Sequence, residues 1–145
     1  MARDTRQYDP GQVILNVNGA DTIGFAAGTF IEVERAVDAF TTVVGSDGEI
    51  TRVKSQNRMG TIKCTLQQSS PANDTFSALA NQDEQTSNAA VPILLKDANG
   101  TTLVQIKKGW VKKKANSTFA DAAENREWTF ETGNLDYTVG GENTI

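Results

Sequence analysis

The residues able to do chemistry are few, and the absences limit the chain more than what is present. Among 145 residues there is no histidine and a single cysteine, Cys64. The usual general base near neutral pH and the commonest metal ligand are therefore missing, and one thiol cannot build a thiolate zinc site. Cys64 shares one face of an alternating segment with Ile62 and Leu66, while Thr61, Lys63, Thr65 and Gln67 take the other. A buried, inert thiol is expected there in place of a nucleophile. A lone cysteine also excludes an intramolecular disulfide, in keeping with folding in a reducing cytoplasm. Asp47-Gly48-Glu49 offers carboxylates without the further oxygen ligands of a calcium loop, and it reads as a hairpin turn. Glu124, Glu127 and Glu131 come with no base, nucleophile or cleft-forming spacing. No catalytic residue, metal ligand or cofactor-binding residue is assigned.

Three sequons, at Asn73, Asn99 and Asn116, match the glycosylation pattern. With no hydrophobic segment behind the charged start, a secretory signal is not expected, and the sequons read as coincidence. No apolar run approaches the roughly 20 residues that span a bilayer.

The charge pattern points away from nucleic-acid binding. The net charge is −4 and the isoelectric point is near 4.8, unsuited to gripping phosphates by counterion release. Lys107, Lys108, Lys112, Lys113 and Lys114 form the one basic cluster, but a single-strand binder would interleave aromatic platforms, and only Trp110 is near. Glu32, Glu34 and Asp38 form an acidic counterpart. Such a split suits complementary faces between identical copies.

The elements that must position these residues are mostly strands. Val13, Leu15 and Val17 alternate with polar neighbours or Ile14, and Asn18-Gly19 signals a turn into Ala20–Phe25. Ile31 and Val33 oppose Glu32 and Glu34 within Thr29–Arg35. Val37–Val44 and Glu49–Lys54 flank Gly45-Ser46-Asp47-Gly48 as a long hairpin. Its alternation is loose, which suits an arm that packs on a neighbouring subunit. Gly60–Leu66 is the cleanest strand, and Ser70 as N-cap with Pro71 in the first turn should start a helix whose stripe is Ala72, Phe76, Leu79 and Ala80. Asn81–Ala90 is expected as a polar surface connection. Val91–Lys96, the turn Asp97–Gly100 and Thr101–Lys114 read as another hairpin, with a bulge where alternation slips at Lys107-Lys108-Gly109. Ala115–Asn125 reads as a loop or one weak helical turn. Arg126–Thr132 buries Trp128 and Phe130, and Leu135, Tyr137 and Val139 continue the alternation. The expected fold is one mainly β domain over residues 1–145, a β-sandwich or small barrel with one flanking α-helix. Residues 1–11 are expected to be an arm, loose until something ties it down.

The order of these segments resembles the tail tube proteins of contractile-tailed bacteriophages. The likeness runs through Gly28-Thr29-Phe30-Ile31-Glu32-Val33 with Arg35, the hairpin Val44–Glu49 with Arg52, Gly60–Leu66 and Ser70-Pro71-Ala72-Asn73-Asp74. It continues in Trp128-Thr129-Phe130-Glu131 with Leu135 and Gly140-Gly141, covering roughly Gln12 to Gly141. The resemblance implies a structural virion protein: hexameric rings of the chain, stacked helically into a hollow tube that delivers phage DNA. It implies the tail sheath, baseplate and tape-measure proteins as partners, assembly in the bacterial host cytoplasm, and DNA that passes through the lumen without specific binding. The hairpin 37–54, the arm 1–11 and the loop 81–90 are the expected assembly segments, and the lysine cluster is expected to face outward or an adjacent subunit. Charged residues expected at subunit contacts are Glu32, Glu34, Asp38, Asp47, Glu49, Arg52, Lys112 and Lys113. A secretion-type tube subunit is a close relative of this reading. A monomeric small-ligand-binding β-barrel is the alternative from another class, disfavoured by an aromatic content of 7%, because ligand cavities are rich in such side chains. An enzyme is the third reading.

Overall fold

A computed structural model describes residues 5–141. Where apolar residues alternate, strands form: β1 (Val13–Val17), β2 (Ala20–Asp21), β3 (Ile31–Arg35), β4 (Phe40–Val44), β5 (Ile50–Lys54) and β6 (Gly60–Leu66). After the helix α1 (Ala72–Thr86) come β7 (Val91–Asp97), β8 (Leu103–Lys113), β9 (Arg126–Thr132) and β10 (Asp136–Thr138). The expected mainly β fold with one helix is the observed one. The main sheet runs β2-β1-β7-β8-β9-β6-β3, with β10 also on β8, while β4 and β5 pair only with each other.

One face of this sheet supplies a single core. Leu15, Ile62, Cys64, Ile93, Val104, Trp128, Phe130 and Leu135 belong to one buried cluster, with Phe76 from α1. Strands from both halves of the order meet in that cluster, so the sheet curls over itself as a sandwich, as twisted sheets of this width do. Phe76 closes the open side, its ring edge-on to Trp128 at 5.6 Å and to Phe130 at 4.9 Å. Such pairs add about 1 kcal/mol beyond their buried area.

The join between β6 and α1 is held by polar side chains. Ser70 Oγ donates to the Ile23 carbonyl and accepts from the Ala72 N–H. Pro71, just before the regular helix, already has helical backbone at φ −65° and ψ −19°, as its fixed ring angle favours. Ser70 thus makes the N-cap contact that was expected, its Oγ accepting from the N–H two residues on, and it also ties the turn to a distant loop. Asn73, the first sequon residue, donates to the Gln67 and Gln68 carbonyls and accepts from Trp128 Nε1 at 2.9 Å. Its amide is committed to packing.

Several expectations change. The helix continues through Asn81 to Thr86, so most of the expected loop 81–90 is helical, ending at Ser87 in the left-handed region (φ 55°). No apolar residue marks that last stretch, which is why periodicity could not find it. Lys114 reaches back to Asn81 Oδ1 at 2.6 Å and Glu84 at 3.4 Å. Of the segment 20–25, Ala20–Asp21 pairs with β1 and the Thr22 N–H donates to the Leu15 carbonyl at 2.8 Å, whereas Phe25 bridges to Leu66 of β6. In the expected arm 1–11, residues 1–4 lie outside the described residues, and Pro10–Gln12 closes a 3-10 turn in which Asp9 accepts from the Gly11 N–H. Val139 is exposed instead of continuing the buried face.

β9 and β10 behave as one interrupted partner of β8, since both keep the same antiparallel register along it. In the interruption Leu135 drops fully into the core. Its N–H donates to the Arg58 carbonyl, and its own carbonyl accepts from Arg35 Nε and Nη2 at 3.1 and 2.7 Å. Leu135 also packs on Gly60, where a Cβ would overlap its side chain and stand 2.9 Å from the Glu34 carbonyl oxygen. Only glycine fits there.

Candidate assembly surface

The hairpin β4–β5 is the element the fold leaves uncovered. Every residue of both strands is exposed. Its register places Phe40, Val44, Ile50 and Arg52 on one face and Val43 and Val53 on the other. Val44 and Ile50, directly paired near the tip, are 63% and 65% exposed. A two-stranded hairpin with apolar side chains on both faces is marginal in water by itself. Across the two strands the Arg52 guanidinium lies 3.9 Å from the centre of the Phe40 ring, a contact internal to the hairpin. The tip is nevertheless well formed. Gly48 N–H donates to the Gly45 carbonyl, Gly45 N–H to the Glu49 carbonyl at 2.7 Å, and Glu49 N–H to Asp47 Oδ1 at 3.2 Å. Gly48 sits at φ 87°, the left-handed position that three-residue hairpin loops reserve for glycine.

The charged residues expected at subunit contacts fall into three places. Glu32 and Glu34 are exposed on β3, an edge strand of the main sheet. Edge carboxylates discourage indiscriminate strand pairing. Asp38, Asp47, Glu49 and Arg52 are exposed on the hairpin and its approach. Lys112 and Lys113 are exposed at the end of β8, and Lys112 is paired within the chain with Glu131 at 3.3 Å. The acidic and basic groups thus lie on separate strands, with β6 and β9 between β3 and β8.

The bulge expected at Lys107-Lys108-Gly109 is present, as a register shift in the β7–β8 pairing opposite Pro92. Proline has no N–H for the ladder, and the extra residue sends Lys107 and Lys108 to the surface. Beside them lies an open groove of about 910 Å³ on the outer sheet face, lined by Pro92, Leu94, Lys107, Lys108, Trp110 and Asn134 among others. Sequence reading found the bulge but not the groove, which needs the bend of β8 and the gap between β9 and β10. A second, smaller hollow of about 360 Å³ is lined by Asn73, Lys114, Phe119, Arg126 and Trp128. Arg126 is spent there on structure: its Nη2 donates to the Thr118 carbonyl at 3.0 Å and its Nη1 to the Glu124 carbonyl at 3.1 Å.

Cys64 is completely buried, and loss of solvation pushes its thiol up to about 12. It is the inert core thiol expected. Glu124, Glu127 and Glu131 form no acid pair in a cleft: Glu127 is exposed and Glu131 faces Lys112. Among the described residues no helix is long and apolar enough to cross a membrane.

Comparison with known proteins gives this surface a context. The family of the bacteriophage PhiTE tail tube protein matches residues 10–140. A structural protein, ORF10, of Pseudomonas phage KPP10 is 29% identical, with all of this chain and 88% of the relative covered. Among solved structures, the sheath/tube terminator of the extracellular contractile injection system PVC has a TM-score of 0.66 at 10% identity, covering 93% of this chain and 99% of that one. The cap that terminates the anti-feeding prophage tube has a TM-score of 0.63 at 7% identity, covering 94% of this chain and 95% of that one. These structural likenesses concern the fold, whereas the family match spans nearly the whole sequence. The chain belongs to the PhiTE-type family of phage tail tube proteins.

Proposed function

We propose that the chain is the subunit of a contractile phage tail tube, with six copies closing into a ring and rings stacking helically into the hollow conduit for the genome. The observation that carries this reading is the hairpin β4–β5, apolar on both faces and covered by nothing among the described residues. Head-to-tail contacts between identical copies close into rings or extend into filaments, and an uncovered arm with its own turn is suited to make them. The net charge of −4 suits a lumen that repels phosphate and lets DNA slide. The role is structural and needs no catalytic group or cofactor. The sheath would surround the tube, the baseplate and tape-measure proteins would set its origin and length, and assembly would take place in the host cytoplasm. The phage relative favours this virion role over a secretion tube.

Replacing Thr41–Val53 by a short Gly-Ser linker tests the reading. The excised residues contribute no buried side chain, so thermal unfolding should shift by no more than about 3 °C. Sedimentation should then find a folded monomer in place of assemblies. A variant that assembles like the parent would remove the bridging role.

A further inference from the structure

Within that reading, on which this step rests, the hairpin needs a place to dock. We propose that the tip of β4–β5 from one copy seats in the groove beside the β8 bulge of a second copy, with Asp47 and Glu49 facing Lys107 and Lys108. Charge carries the choice of occupant. Of the five lysines between 107 and 114, Lys112 and Lys114 have carboxylate partners within the chain. Lys107, Lys108 and Lys113 have none among the described residues, and the first two stand together at the groove. On the hairpin, Arg52 is engaged by Phe40, whereas the Asp47 and Glu49 carboxylates at the tip meet no cation among the described residues. The acid in the groove wall, Asp136, already has Arg58 at 3.9 Å.

Shape and polarity agree with charge. Behind the tip carboxylates come Val44 and Ile50, strongly exposed. Behind the groove lysines come half-buried Leu94 and Trp110 and exposed Pro92. An acidic rim over an apolar pair thus meets a basic rim over an apolar floor, the arrangement of a specific contact with a dry centre and a charged edge. The bulge is what makes the basic rim. Without the register shift opposite Pro92, successive side chains would alternate between faces and Lys107 and Lys108 could not both reach the surface. The contact is heterologous, since tip and groove are different surfaces, so it propagates from copy to copy instead of closing a two-fold pair.

Zero-length carbodiimide coupling on the full chain is the test. An equal mixture of 15N-labelled and unlabelled protein is assembled, coupled, digested and read by mass spectrometry. Mixed-isotope peptides joining Asp47 or Glu49 to Lys107 or Lys108 are expected in assemblies and not in dilute monomer. The variant Lys107→Glu/Lys108→Glu should stay folded and raise the concentration needed for assembly at least about tenfold, since like charges would then face each other. Adding Asp47→Lys/Glu49→Lys to the same chain should restore assembly. Assemblies lacking these cross-links, together with a Lys107→Glu/Lys108→Glu variant that assembles normally, would overturn the groove as the docking site. If excision of Thr41–Val53 still abolishes assembly in that case, the hairpin role stands and only its seat is wrong. If excision has no effect either, both fall.

Discussion

Individual residues here serve the core and its joins. Cys64 shows this most plainly, because its thiol is held protonated to about 12 against an ordinary 9.0. The folded chain keeps a proton that the unfolded chain releases above pH 9, so the stability linked to this group is complete below that pH. It is lost as pH rises towards 12, by up to about 1.4 kcal/mol per unit. Against a Cys64→Ala variant, denaturant titrations should show the parent's advantage shrinking by about 1–2 kcal/mol between pH 8 and pH 10.5. Thiol reagents at pH 8 should label the unfolded chain and leave the native one unmodified. An advantage that stays constant with pH would mean that the thiol is hydrated in the fold. Cys64 was legible in the sequence because its neighbours alternate without a fault. The roles of Arg35 and Asn73 were not, since each depends on a partner far along the chain, the Leu135 carbonyl and the Trp128 indole.

Among elements, legibility followed apolar periodicity. β1, β3, β6 and β9 alternate and were found, and β7 was found as a short, nearly continuous apolar run. The second half of α1 carries only polar residues from Asn81 to Thr86 and reads as loop until Lys114 is seen to reach it. The hairpin is the reverse case: its turn was legible, but its isolation could be learned only from the sheet order. That isolation separates local from global stability. Gly48 at φ 87° should not tolerate Val, whose side chain costs roughly 1–2 kcal/mol in the left-handed region. Because β4 and β5 pair with nothing else, Gly48→Val should leave the thermal midpoint within about 2 °C of the parent. Hydrogen exchange in 40–54 should speed up severalfold. A large drop in the midpoint would show that the hairpin is part of the cooperative core.

For the whole molecule, the fold separates a rigid unit from the surfaces that the proposed assembly would use. The curled sheet and α1 form a closed core, while the hairpin and the bulge groove lie outside it and leave it undisturbed. The sandwich class was legible from strand count and turns. The strand order was not, because pairings such as β1–β7 and β6–β9 join segments far apart in sequence, and local pattern does not encode them. Acid and base are likewise divided between elements, so association should weaken with added salt as screening shortens their reach. Electron microscopy of the purified full-length protein tests the central claim most directly. Hollow tubes of stacked six-membered rings are the predicted result. A uniformly monomeric particle at high protein concentration, or a closed two-fold dimer, would contradict it.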